Sequence, residues 1–214
     1  MVSDSTGLQS GYASARELLA LRSSPPKERA DATRNRAAVL GAAAELFAEH
    51  GVENVPMDAI AARAQVGKGT LFRRFGDKAG LAAALLDERE RVLQEQILFG
   101  PPPLGPGPAD DPPRAADRLR AFVSAYLDYA LAHLDIVRMS ETAAPGARYR
   151  IGAYRFWHRH VALLLHSAKP DCDADALAHA LIAPVAAEHL HAILAEHGEQ
   201  RLRSAILELV SAVV

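Results

Sequence analysis

The sequence predicts an all-α fold: apolar residues recur at spacings of three and four along most of the chain, alternating β-type runs are missing, and Ala, Leu, Arg and Glu dominate. Half of its 214 residues are hydrophobic, enough for a sizeable core in one or two domains. A formal net charge of -2 excludes a chain that coats nucleic acid by bulk charge. The single Cys172 cannot form an intramolecular disulfide and reads as a free structural thiol. No apolar run approaches the ~20 residues of a membrane span, so a cytoplasmic protein with no membrane partner is expected.

Residues 1–26, rich in Ser and Gly around a short helical candidate at 15–21, read as a flexible arm ending at Pro25-Pro26. Val39, Ala43, Leu46 and Phe47 then form the inner stripe of a first helix, closed near His50 by Gly51 in the left-handed conformation. Pro56 suits the first turn of a second helix, Asp58 complements its positive end, and Met57, Ile60, Ala61 and Ala64 supply its apolar face. Gln65-Val66-Gly67 is the turn before a third helix from about Lys68 to Phe75. On that helix Leu71 and Phe75 share one face, while Gly69, Thr70 and Arg73 occupy the opposite one. This is helix-turn-helix spacing, with the apolar pair as anchor and the other face left to read bases. Gly76-Asp77 interrupts the chain, and Lys78 opens a longer fourth helix with Leu81, Leu85 and Val92 turned inward. Between Arg63 and Lys78 five basic residues stand against the single acid Asp77, the local positive charge of a compact DNA reader.

Beyond it, Phe99 to Pro113 packs seven prolines into fifteen residues and must be a loop. Leu119, Phe122, Val123 and Tyr126 stripe a helix over about 114–134, and a shorter one follows around 135–142, ended by Ala144-Pro145-Gly146. Ile151, Tyr154, His158, Val161 and Leu165 line a helix that stops before Lys169-Pro170. The segment from about 174 to 196 is apolar nearly all round, so it must be covered on two sides, and Pro184 within it would kink the helix or leave a carbonyl unpaired. A last helix over about 201–213 carries Leu202, Ile206, Leu209, Val210 and Val213.

The segments AAELFAEHGVENV (43–55), MDAIAARAQVGKGTLFRRF (57–75) and the GDKAGL that follows resemble, in order and spacing, the DNA-binding domain of the TetR family of bacterial transcriptional regulators. The resemblance implies a DNA-binding domain at 27–86 and a helical effector-binding and dimerisation domain at 87–214. It further implies a homodimer formed through the last two helices (about 174–196 and 201–213), a palindromic double-stranded DNA operator, an unidentified small-molecule effector and, most often, repression. Carried onto this chain, Arg73 would read a guanine edge and Thr70 a thymine methyl, with Gly69 permitting close approach. Lys68, Arg74 and Lys78 would hold phosphates, and Phe72 either touches sugar-phosphate or packs. There are departures from the family pattern. Gln65 stands where Gly is usual, which places a non-Gly residue in the left-handed region at ~1 kcal/mol. Gly67 replaces a Ser N-cap. Phe72 and Val55-Pro56 replace hydroxyl residues that contact phosphate, and Arg34, Arg36 or Arg74 are the groups able to compensate.

For the effector, Phe122, Tyr126, Tyr129, Tyr154 and Trp157, with His158, Ile182 and His189, are the candidate lining residues; the aromatics suit core packing equally. Eight of the nine histidines fall in this half, but the pairs His158/His160 and His189/His191 are i, i+2, about 200° apart on a helix. Neither pair can hold one ion from a single face, so no metal site and no cofactor are expected. Glu188, His189 and His191 form no nucleophile-base-orienter arrangement, and no catalytic residue is assigned. Other readings of the same residues are a helical ligand-binding or scaffolding protein with weakened DNA binding, and a transcriptional activator.

Overall fold

The computed structural model describes residues 30–214, with side chains from Ala32 onward; the arm expected over 1–26 and its helical candidate lie outside them. Among the described residues the regular structure is helical, with no strand. Helix α1 spans Ala30–His50, α2 Met57–Arg63, α3 Lys68–Phe75 and α4 Lys78–Phe99. After the proline-rich loop come α5 (Ala115–Ala132), α6 (Leu134–Thr142), α7 (Ala147–Arg150) and α8 (Gly152–Ala168). Helix α9 (Ala174–Ile182), one 3-10 turn (Ala183–Val185), α10 (Ala187–His197) and α11 (Glu199–Val213) complete the chain.

The first three helices form where the apolar spacing places them. Val39, Ala43, Leu46 and Phe47 are buried, and α1 ends because Gly51 turns to φ +75 and donates its N–H to Phe47 O at 2.9 Å. Pro56 sits one residue earlier than expected, as the N-cap of α2, its carbonyl accepting from the Ala59 N–H at 3.1 Å. Helix α4 packs against α1 and α3 and also against α5 and α6, so one rod joins the two halves. Its inner face changes along the way: Leu81 and Leu85 are buried as expected, but Val92 is 49% exposed and Leu93 and Ile97 face inward instead. Past Leu86 the covering helices lie one position round the rod, and a stripe extrapolated from its first half misses them.

In the second half α5 packs between α8 and α11, with α9 on α8 and α10 on α6. Leu119, Phe122, Val123 and Tyr126 are all buried. Helix α5 stops at Ala132, two residues short of the expected end, because His133 leaves helical geometry at φ -131, ψ 27. The single kinked helix expected over 174–196 is in fact broken. Pro184 has no N–H to give and its ring blocks the i-4 carbonyl, so α9 and α10 meet at 47° across a 3-10 turn and an extended Ala186.

A break in a buried helix exposes carbonyls on one side and N–H groups on the other. Here the Arg148 guanidinium donates to Ile182 O at 2.9 Å, at the end of α9, and Glu141 Oε2 accepts the Ala187 N–H at 2.8 Å, at the start of α10. Arg148 and Glu141 also pair directly, with side chains only 11% and 8% exposed. Each charge sits at the helix end whose dipole it opposes. The one-turn α7, which the sequence did not announce, opens at Gly146 (φ +67) and carries Arg148 into place.

Removing one member of such a pair strands a buried charge, so Arg148→Ala should lower unfolding free energy in urea by about 3–5 kcal/mol. Arg114→Ala, which deletes a solvent-exposed pair with Asp117, should leave the urea midpoint unchanged.

Candidate nucleic-acid interface

Helix α3 is fixed from beneath. Leu71 and Phe75 are 1% and 8% exposed, and their burial against the first three helices leaves Gly69, Thr70, Phe72 and Arg73 on the solvent side. The turn before α3 is tight. Val66 donates its N–H to Ala61 O at 3.0 Å, and Gln65 takes φ +54, the only non-Gly positive φ among the described residues. Gly67 caps α3 with no side chain; its carbonyl accepts from the Thr70 and Leu71 N–H groups at 2.9 and 3.1 Å.

The far end of α3 is held as closely. Gly76 turns at φ +76, and the Asp77 carboxylate caps α4 by accepting the Gly80 N–H at 2.8 Å. A Cβ at position 80 would overlap the Phe75 carbonyl, so only glycine lets α4 start this close to the end of α3. Lys78, expected at a phosphate, points its ammonium at the Val52 and Glu53 carbonyls, 3.0 and 2.8 Å away, and so ties the α1–α2 loop to the start of α4.

The remaining cations divide by what they touch. Lys68 pairs with Asp58 across the turn. Arg36 lies over the Phe75 ring, 5.9 Å from its centroid, and Arg63 pairs with Glu45 at 2.9 Å. Arg34 is exposed on α1 and Arg74 half-buried on α3. Arg73 is exposed and has no ion-pair partner among the described residues, and a Cβ added to Gly69 would meet nothing within 4 Å. The surface thus presents a smooth strip, Gly69-Thr70, next to an exposed guanidinium, the chemistry suited to base edges in a major groove. Phe72, 45% exposed, stands beside it.

Residues 39–85 match the family model described as bacterial regulatory proteins, tetR family. The HTH-type transcriptional repressor Rv3405c of Mycobacterium tuberculosis is 34% identical over 151 residues, covering 68% of this chain and 67% of that protein. The chain belongs to the TetR family. An HTH-type transcriptional regulator of Staphylococcus aureus (strain USA300) is 47% identical over 53 residues, 25% of this chain and 29% of that one. A TetR-family transcriptional regulator from Pectobacterium atrosepticum shares the fold, with a TM-score of 0.62 at 22% identity over 88% of this chain and 96% of that one. A second, from Rhodococcus sp., gives 0.58 at 20% identity, covering 85% and 98%.

As a TetR-family regulator the protein is a helix-turn-helix, DNA-binding transcription factor, and its second half holds the other set of expected residues. Phe122, Tyr126, Tyr129, Tyr154 and Trp157 are gathered and buried: Phe122 and Tyr126 each lie 5.9 Å from Trp157 between ring centroids, and Tyr126 lies 5.7 Å from Tyr129. Tyr126, Tyr154 and Trp157 line a cavity of about 20 Å³, room for roughly one water, together with Leu86 and Glu90 of α4 and the Glu141–Arg148 pair. Ile182 is buried next to it through its carbonyl contact with Arg148. His158 and His189 are not brought there. His158 sits at the rim between α8 and α9, and His189 is exposed on α10. The buried core histidine is His160, stacked edge-on against Phe122 at 5.2 Å, its pKa pushed down to about 3 by burial first and the Arg118 charge second.

Glu90, Glu141 and Arg148 were missed in the sequence, where charged residues on mixed helices carry no mark of burial. Glu90 accepts from the Tyr129 hydroxyl at 3.1 Å. Burial raises its pKa from 4.5 to about 7, with the Asp87 charge adding to the rise. The folded chain therefore keeps a proton that the unfolded chain has lost, and stability falls as pH rises from about 4.5 to about 7. Between pH 5 and pH 8, urea unfolding of Glu90→Gln should lose about 2 kcal/mol less stability than the parent. Replacing the strained turn residue, Gln65→Gly should raise stability by about 1 kcal/mol in the same assay.

Proposed function

We propose that this protein is a ligand-responsive repressor that binds a palindromic operator as a homodimer in the cytoplasm. The observation that carries the DNA half of this reading is the exposed Gly69-Thr70-Arg73 face set on a helix whose other side is buried. Arg73 reads a guanine, Thr70 a thymine methyl, and Gly69 lets the backbone approach. Lys68, Arg34, Arg36, Arg74 and Lys78 through its backbone N–H contact phosphates, with Phe72 against sugar; these position the helix and make affinity salt-dependent. The domain division falls at residue 86, inside α4, with 27–86 reading DNA and 87–214 sensing and dimerising.

Dimerisation through α9, α10 and α11 is supported by the face of α11 bearing Ala205, Leu209 and Ala212, which is exposed, with Leu209 at 43%. Two-fold symmetry then sets the recognition helices about one DNA turn apart, ~34–36 Å. Repression is supported by the name of the mycobacterial relative. The effector site is the aromatic cavity. Its small volume means that a ligand must part the walls, and those walls include α4, whose first turn abuts the recognition helix, and the Glu141–Arg148 pair that fixes α9 to α10. A ligand that prefers the parted state lowers operator affinity by its difference in binding to the two states.

Fluorescence anisotropy at moderate salt tests the DNA reading: the protein should prefer the duplex upstream of its own gene to random duplex. Arg73→Ala should erode that preference by about 1–3 kcal/mol, while Arg74→Ala weakens both duplexes alike. Equal binding of the two duplexes by the parent protein refutes the proposal.

A further inference from the structure

The rim between α8 and α9 brings His158 against two groups one turn apart on α9, Asp175 and His179. His158 of α8 stacks on His179 of α9, ring centroids 3.8 Å apart, and His158 Nε2 lies 3.8 Å from the Asp175 carboxylate. Metal-ligating atoms of His158, Asp175 and His179 all fall within 4.8 Å of one another. A tetrahedral ion with bonds of ~2.0–2.1 Å needs edges of roughly 3.4 Å, so the widest pair must close by up to about 1.4 Å. Asp175, 75% exposed, and the exposed His179 have the freedom to make it.

We propose that His158, Asp175 and His179 form a binding site for a divalent transition-metal ion. Two imidazoles and one carboxylate suit zinc, nickel or cobalt and disfavour magnesium and calcium, whose ligands are oxygens. Tyr154 Oη and His179 Nδ1 are 2.7 Å apart, and in the metal-bound form Nδ1–H donates to the phenol oxygen, which leaves Nε2 to the metal. At His158, Nε2 now donates to the Asp175 carbonyl at 3.0 Å. On binding, the ion takes that position and the ring proton moves to Nδ1, so the imidazole stays neutral. Water completes the coordination on the exposed side. This site shares Tyr154 with the aromatic cavity and lies apart from the DNA face; its assignment rests on neither reading, and it would cross-tie α8 to α9.

Titrating metal-free full-length protein with Co²⁺ tests the assignment, because tetrahedral cobalt absorbs strongly in the visible. One equivalent should bind, and Zn²⁺ should displace it stoichiometrically. His179→Ala and Asp175→Ala should each weaken cobalt affinity at least tenfold, Tyr154→Phe about tenfold, and His189→Ala, an exposed histidine elsewhere, not at all. Both ligand variants change exposed side chains, and unchanged far-UV circular dichroism and melting temperature will verify that they fold. Absence of a tetrahedral cobalt spectrum from the parent overturns the proposal, as does affinity in His179→Ala and Asp175→Ala equal to the parent's.

Discussion

Backbone polar groups cannot be left bare inside a protein, and the second half of this chain is organised around meeting that demand at one place. Pro184 severs what would otherwise be one long apolar helix, and the Glu141–Arg148 pair closes the wound: the guanidinium takes the last α9 carbonyl and the carboxylate takes the first α10 N–H. Four elements, α6, α7, α9 and α10, are fixed by two side chains. A buried ion pair is by itself weak evidence for stability, since desolvation offsets attraction. Here each member also satisfies a backbone group and opposes a helix dipole, which is why the pair can sit in the core at all. The pair also forms part of the wall of the aromatic cavity.

The recognition helix obeys a parallel constraint at smaller scale. Eight residues are too few for a stable free helix, so α3 exists because Leu71 and Phe75 are buried and because both its ends are fastened. Gly67 and Gln65 shape one end; Gly76, Asp77 and Gly80 shape the other. Lys78 adds a tie to the loop after α1. The same residues that hold α3 also start α4, and α4 continues without interruption to the cavity at Leu86 and Glu90.

Most of the DNA-binding half was legible in advance because its determinants are local. Glycine at a positive φ, a proline at a helix start and an i, i+4 apolar pair each act over a few residues, and α2, α3 and the left-handed Gln65 fall where they place them. The second half was legible only as a set of helices. Val92 lay on the extrapolated stripe but faces solvent, since burial along α4 is set by partners that change halfway. His158, expected on the apolar stripe, sits at the rim while His160 is the buried histidine, for a like reason: two positions along a helix decide nothing until the neighbouring helix is in place. Pro184 signalled a disturbance, yet whether the result is a kink or a full break depends on Arg148 and Glu141, 36 and 43 residues away in sequence.

By itself the sequence determined the helix class, the turn geometry, which face of α3 is buried and which exposed, and the family. These follow from steric and hydrogen-bonding preferences that a short stretch of chain expresses on its own. Only the tertiary structure decided which charges are buried, how the apolar helix after Cys172 divides, and that His158, Asp175 and His179 meet at one rim. Those outcomes are set by desolvation and by contacts between distant segments, and both quantities come into existence when the helices pack.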